Sequence, residues 1–378
     1  MKKDIYITAL HLLHGGVEMA ISLLSNALAK QGYNVTILCV YNFGEIAYHL
    51  EPNVKIQYLT EVKPNKDELF KAIRERNIKK VLKEGFYSAK VLYLKNARMR
   101  DALKSIKNGI VISTRNEHSV LLSKYGNKDV YKIAQLHHDH EFKKKYINDF
   151  RKKYGNIDKF VLLTDEIKNE VEEMMKGYNS YTKCVTIPNF LNSISHETKP
   201  YIREKTVVSV GRLHPVKGFD RLLEIWSEVV KQEPDWKLLL IGDGDEKENL
   251  LSLAQKLGIE NSVVFKGALA HEKVLDEMTK SSIYLMTSYS ECFPFVLIEA
   301  MSCGLPVIAF NVRVGPRAIV KDGENGILLK DKDNIAFKEA VLSLIRDNNT
   351  REIYSKNAID TANDFTEENI VKEWISLF

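Results

Sequence analysis

The chain has 378 residues, 44% hydrophobic and 28% charged, with a formal net charge of +5. That length exceeds what one hydrophobic core ordinarily serves, which argues for two domains. No run of about 18 uncharged apolar residues occurs, so a membrane-spanning helix is not expected. The charge is uneven: residues 1–190 hold 32 Lys and Arg against 21 Asp and Glu, or +11, which leaves −6 for residues 191–378.

The opening MKKDIYITAL runs into HLLHGGVE with no small-residue cleavage site, so no signal peptide is read. DIYITAL (4–10) reads as a strand, HGGVE (14–18) as a glycine turn and GVEMAISLLSNALAKQGY as an amphipathic helix. Further strands are expected at NVTILCVY (34–41), VKIQYL (54–59), VLYL (91–94), GIVIST (109–114) and KFVLLT (159–164). The intervening stretches have helical spacing, the signature of βαβ units. Two of them, KAIRERNIKKVLK (71–83) and KKKYINDFRKKYGNIDK (143–159), hold much of the positive charge. They are either solvated faces or surfaces drawn to phospholipid headgroups or a lipid-linked phosphate; no nucleic-acid motif accompanies them. The polar TIPNFLNSISHETKPYIREK (186–205), with two prolines, reads as a linker.

A second series of units comes next. Strands are expected at TVVSVG (206–211), WKLLLIG (236–242), SVVFKG (262–267), SIYLMTS (282–288) and PVIAF (306–310). Helices are expected at GFDRLLEIWSEVVKQ, EKENLLSLAQKLG, around VLIEAMSCG and at the terminal FTEENIVKEWISLF. Two doubly wound domains of similar size would face each other across a deep cleft. In such sheets ligands bind outside the carboxyl ends of the strands, so functional residues belong in strand-to-helix turns. Cys39, Cys184, Cys292 and Cys303 lack metal-ligand spacing and suit reduced thiols in a cytosol.

Four turns stand out. In HGGVE, Gly15 and Gly16 allow close backbone approach and leave helix N–H groups for an anion or a hydroxyl-rich ligand, or simply form a tight turn. The segment lacks the GxGxxG dinucleotide pattern. In VGRLHPVKGFD (210–220), Arg212 and Lys217 suit a diphosphate, with a salt-bridged Arg and an exposed Lys as the equal alternative. Asp243-Gly244-Asp245 has the spacing of a metal-binding DxD, but its place between strand and helix favours a capping turn. In SECFPFVLIEA (290–300), Pro294 suits a first helical turn, and the helix dipole around Phe293–Leu297 suits a phosphate. Glu299, one to two turns along, can accept from ribose hydroxyls, and Glu291 from those of a hexose. A buried, unpaired Glu299 would otherwise cost several kcal/mol.

Taken together, GRLHPVKGFD, IGDGD, SYSECFPFVLIEAMSCGLPVIAF and GPRAIVKDGENGILL resemble the retaining nucleotide-sugar glycosyltransferases of the GT-B fold, family 4. HGGVEMAISLLSNAL and TIPN extend the resemblance over nearly the whole chain. It implies two Rossmann-like domains, an acceptor domain over 1–190 and a donor domain over 191–361, with a helix of about 362–378 packing back on the first. It assigns Arg212 and Lys217 to the donor diphosphate, Glu299 to the ribose and Glu291 to the transferred sugar. Gly15, Gly16, Gly211 and the backbone of Phe293, Pro294, Phe295, Val296 and Leu297 would line the donor. In AQLHHDH (134–140), His137 falls near the reacting centre, with His138 the adjacent candidate. Two positions depart from the family: Cys292 stands where glycine is usual, and Ala318 where a subgroup has glutamate.

The implied activity is retaining, metal-independent hexosyl transfer from a nucleoside diphosphate sugar, UDP-linked by family habit, with no cofactor beyond that donor. The acceptor would be a glycan or lipid-linked hydroxyl in cell-surface polysaccharide or glycoconjugate synthesis. The basic first half then implies peripheral attachment to the inner face of the cytoplasmic membrane. A nucleotide-sugar hydrolase or epimerase, or an inactive carbohydrate- or lipid-binding relative, is the alternative on the same architecture.

Overall fold

The computed structural model describes residues 3–192 and 203–378; residues 193–202 of the expected linker lie outside the described residues. The first half alternates β1 (Asp4–Ala9), α1 (Gly16–Lys30), β2 (Asn34–Tyr41), β3 (Lys55–Thr60), α2 (Lys66–Arg74), α3 (Ile78–Ser105), β4 (Gly109–Ser113), α4 (Asn116–Tyr125), β5 (Val130–Leu136), α5 (Lys144–Lys152), β6 (Lys159–Leu162), α6 (Asp165–Met175) and β7 (Lys183–Thr186). The strands form one parallel sheet in the order β3-β2-β1-β4-β5-β6-β7. Ile5, Ile7 and Ala9 of β1 are wholly buried, as are Val111 and Ile112 of β4. Central strands of a parallel sheet are covered on both faces, which is why they read as apolar runs instead of alternating.

The second half holds β8 (Thr206–Val210), a 3₁₀ turn (Pro215–Lys217), α7 (Phe219–Val229), β9 (Lys237–Ile241), α8 (Lys247–Lys256), β10 (Val263–Gly267), α9 (His271–Lys280), β11 (Ile283–Met286) and α10 (Phe295–Ser302). It continues with β12 (Val307–Asn311), a 3₁₀ turn (Pro316–Ala318), β13 (Gly326–Lys330), α11 (Asn334–Arg346), α12 (Asn348–Asn363) and α13 (Glu367–Ser376). Its sheet is also parallel, in the order β10-β9-β8-β11-β12-β13. One face rests on a core containing Trp226, Leu238, Phe310 and Phe337, each buried. The chain divides into two compact units, Met1–Ile187 with Val371–Phe378, and Pro188–Ile370. Within the first unit, the Phe378 ring meets Tyr33 edge-on at 5.6 Å.

The structure corrects one expected strand. VLYL (91–94) lies inside the 28-residue helix α3. Four apolar residues cannot by themselves distinguish a strand from a helix segment, and here Lys and Arg on both sides extend a continuous helix. Of the four, Val91 alone is buried. Strands β5, β7 and β13 were not among those expected. Lys132 interrupts the apolar run of β5, and β7, at the sheet edge, has only four residues.

A glycine makes the turn after β9 possible. Gly242 has φ +145, and a Cβ there would lie 1.9 Å from the Gly211 carbonyl oxygen. Gly242→Ala should therefore cost about 1–3 kcal/mol through backbone strain. The cost would be read as a lower Tm, as the Gly211–Arg212 backbone is pushed away. An unchanged Tm would refute this account of the turn.

Candidate active site

In the second sheet the chain leaves β8 toward β9 and β11 toward β12, so a crevice opens between the carboxyl ends of β8 and β11. That is the topological switch point at which doubly wound sheets bind ligands. The segments leaving these two strands are 211–218 and 287–294.

Backbone bonds and one arginine join the two segments. The Tyr289 N–H donates to the Val216 carbonyl at 2.7 Å, and the Thr287 hydroxyl donates to the Gly218 carbonyl at 2.8 Å. Gly218, at φ +64, admits the Thr287 carbonyl where a Cβ would sit 2.1 Å away. Arg221, from the first turn of α7, donates to the carbonyls of Thr287 and Ser288, each at 2.6 Å, and pairs with Asp331 at 2.7 Å. Its guanidinium also stacks on the Tyr289 and Phe310 rings, 4.1 Å from each centroid. A buried charge satisfied on this many sides fixes the loops it touches. From the neighbouring strand, Leu213 N–H donates to the Asp243 carbonyl at 2.9 Å, and Asp243 Oδ1 accepts from Gly244 N–H at 2.8 Å. The Asp243–Asp245 segment is thus a turn bracing the loop that carries Arg212.

Lys217 Nζ donates to Glu291 Oε1 at 2.6 Å, with the carboxylate side chain 11% and the lysine side chain 27% exposed. Glu291 is held from the other side by Gly315, whose N–H donates to its carbonyl at 3.1 Å, and by a bridge to Val314. Gly211 packs beside the Lys217 stem, and the Arg212 side chain is exposed. Cys292 is buried, and Ala318 is exposed on its 3₁₀ turn.

Pro294 is the N-cap of α10, one residue before the first turn in which the sequence places it. Its fixed φ still starts the helix, and it brings no capping side chain to the following amides. The Leu297 N–H already donates to the Pro294 carbonyl at 3.1 Å, and its side chain is wholly buried. Glu299 lies mid-helix, 7% exposed, its carboxylate hydrogen-bonded to no described residue. Burial pushes its pKa up to about 7. His271 Nδ1, at the start of α9, is 3.6 Å from Glu299 Oε1, too long for a hydrogen bond. A nearly buried acceptor with no hydrogen-bond donor among the described residues, on a helix whose first turn has no side-chain cap, has the character of a site for a ligand bearing both phosphate and hydroxyls.

The family model for glycosyl transferases group 1 matches residues 193–361. The amylovoran biosynthesis glycosyltransferase AmsD of Erwinia amylovora is 31% identical over 95% of this chain and 95% of its own length. The chain belongs to the group 1 glycosyltransferases. A second relative of this glycosyltransferase is 27% identical over 96% of this chain and 94% of its own. It is the Campylobacter jejuni α-1,4-N-acetyl-D-galactosaminyltransferase acting on GalNAc-α-(1→4)-GalNAc-α-(1→3)-diNAcBac-PP-undecaprenol. Among solved structures, an S. aureus TarM variant crystallised with fondaparinux, α-GlcNAc-glycerol and UDP has a TM-score of 0.77. It is 18% identical and covers 100% of this chain and 99% of its own, which establishes the shared GT-B fold.

The glycosyltransferase has a second polar cluster, at the β1–β4 switch point of its first sheet. Gly15 caps α1, and its N–H donates to the Tyr48 hydroxyl at 3.3 Å. A Cβ on Gly15 would lie 2.2 Å from Glu18 Oε2, so the glycine makes room for that carboxylate. Glu18, 4% exposed, has Oε1 3.5 Å from both His11 Nδ1 and Arg115 Nη2, with a hydrogen bond to neither. His118 Nδ1 is 3.0 Å from Thr8 Oγ1. His137, just beyond β5, is buried with no hydrogen bond at Nε2 to any described residue, and burial first, then His138 and Arg115, push its pKa down to about 3. His138 is exposed.

In this glycosyltransferase the second unit thus brings Arg212, Lys217, Glu291 and Glu299 to the segments around one switch point, and the first unit brings Gly15, Gly16 and His137 to the carboxyl ends of its own strands. Sequence reading missed Glu18, Arg115, His118 and His271. Glu18 in a first helical turn reads as an ordinary dipole partner. The other three are distant in sequence from what they face, and no short motif joins them.

Proposed function

We propose that the chain transfers a hexose or N-acetylhexosamine from a UDP-sugar, with retention at the anomeric carbon, to a hydroxyl of a glycan or lipid-linked acceptor in bacterial polysaccharide or glycoconjugate synthesis. The observation that carries this reading is the grouping of Arg212, Lys217, the α10 amides and a buried Glu299, hydrogen-bonded to no described residue, on adjoining segments of one unit.

As the sugar–phosphate bond breaks, positive charge grows on the sugar and negative charge on the departing diphosphate. Arg212, Lys217 and the helix amides meet that negative charge without reorganising, usually the largest single catalytic contribution. They supply the charge that a metal supplies elsewhere, so transfer should survive chelation. Glu299 accepts from the ribose and Glu291 from the sugar. For Glu291 to turn to the sugar, Lys217 must exchange part of its 2.6 Å contact for the phosphate. Neither carboxylate is needed as a nucleophile: on the front-face route the leaving phosphate itself takes the acceptor's proton. Acceptor binding belongs to the Glu18–Arg115–His137 cluster of the first unit. An acceptor bearing a diphosphate lipid suits that unit's positive charge and parallels the acceptor in the C. jejuni relative's name.

A panel of UDP- and GDP-sugars, scored by protection against thermal unfolding, tests the donor. A ligand at 100 times its Kd adds about 2.7 kcal/mol, several degrees in Tm. No protection by any nucleotide sugar would overturn the donor site; UDP release without an acceptor would favour a hydrolase.

A further inference from the structure

Eight of the 17 exposed large hydrophobic side chains among the described residues fall between Phe70 and Tyr93. Ile78, Leu82 and Phe86 of α3 are 75%, 58% and 76% exposed. They are spaced by four, and Tyr93 follows seven later, so they form one stripe along the helix. Phe70 and Ile73 of α2, which packs on α3, are more than half exposed as well. The buried residues of α3 are Val91, Ala97, Met99 and Leu103, so its first three turns bury none. Scattered exposed apolar residues need no explanation, but a continuous stripe marks an interaction surface.

The charge around the stripe selects its occupant. Residues 66–104 carry twelve Lys and Arg against five Asp and Glu, a net +7 in a chain whose total is +5. Lys79, Lys83 and Lys90 are exposed on the helical row beside Phe86. A second copy of the chain would set this +7 against itself in a two-fold contact. An anionic lipid surface matches both features, offering phosphates to the lysines and an acyl boundary to the apolar stripe. No helix among the described residues is long and apolar enough to cross a membrane.

We propose that α3, with the adjoining α2, lies in the plane of an anionic bilayer, with Ile78, Leu82 and Phe86 inserted below the headgroups and the flanking lysines on the phosphates. The proposal deepens the lipid-linked acceptor reading, since an enzyme lying on the membrane meets such an acceptor in two dimensions. It also adds to the basic segments an exposed apolar stripe that the charge pattern of the sequence does not disclose.

The test is co-sedimentation of the full chain with phosphatidylcholine–phosphatidylglycerol vesicles and with phosphatidylcholine alone. Neither contains an acceptor, so binding is scored apart from transfer. Binding is expected to the anionic vesicles and to fall about tenfold or more with added salt. A comparable loss is expected in the double variant Leu82→Ser/Phe86→Ser and in the triple variant Lys79→Glu/Lys83→Glu/Lys90→Glu. All five positions are exposed, and unchanged Tm and nucleotide-sugar protection would show that fold and donor site persist. The proposal is overturned by equal binding to neutral vesicles, by a serine variant that binds like the original, or by a dimer in sedimentation velocity that the serine variant dissolves. Vesicle binding that persists while every nucleotide sugar fails to protect would instead count against the donor assignment.

Discussion

Arg212→Ala should lower kcat by about 10²–10³-fold, the usual cost of removing one preorganised donor to a developing anion. The effect should fall on kcat more than on the KM for donor, because the contact tightens as charge accumulates on the departing diphosphate. Stability should be unaffected. The Arg212 side chain is exposed, so its removal leaves neither a cavity nor a buried orphan. Lys217 is different: Lys217→Ala also strips Glu291 of its 2.6 Å partner and exposes a pinned, nearly buried carboxylate to new interactions. A loss of activity in that variant would mix lost transition-state stabilisation with a disturbed loop. Arg212 is therefore the cleaner probe. Steady-state rates with a donor that has passed the thermal screen decide it: an Arg212→Ala enzyme with near-original kcat and unchanged Tm would remove Arg212 from the reaction.

The parallel sheets were legible because their central strands, buried on both faces, appear as largely apolar runs. VVSV (207–210), LLLI (238–241) and VIAF (307–310) leave little choice. VLYL misled because four apolar residues carry too little periodicity, and the basic residues that continue its helix are also what a loop would offer. For the site, motif spacing places Arg212, Lys217 and Glu291 in turns and Glu299 along a helix, but spacing cannot say which of them pair. The Lys217–Glu291 bond joins residues 74 apart, and the Arg221 brace joins α7 to carbonyls 66 and 67 residues away. Sequence marks Arg221 only as another basic residue on a helix. The fold makes it the fastening between the two segments that hold Arg212, Lys217 and Glu291.

Glu299 gives the second large expected effect, through pH. Its carboxyl, ordinarily near 4.5, is held at about 7 by burial. The folded protein thus keeps a proton between those values that the unfolded chain has released. Its contribution to stability is therefore complete below about pH 4.5 and is lost as pH rises through about 7, where the folded state must hold a desolvated charge. Ribose hydroxyls donating to the carboxylate favour its ionised form, so nucleotide binding should expel this proton. Affinity for a UDP-sugar should accordingly climb from about pH 5 to about 7 and level off above, with proton release visible as a buffer-dependent heat in calorimetry. A UDP-sugar is the right probe, because UDP has a terminal phosphate that titrates near pH 6 and would obscure the effect. Glu299→Gln keeps the shape without the titration. It should weaken binding by about 10–100-fold at pH 8, the difference between hydrogen bonds to a charged and a neutral acceptor, and flatten the pH profile. It should also remove the stability loss above neutrality, because no charge is left to desolvate. Weaker binding alone would fit any damage to α10; weaker binding together with a flat profile and a stabler apo protein requires a buried acid that ionises for its ligand. If Glu299→Gln kept the original affinity and pH profile, the ribose would have to be held elsewhere.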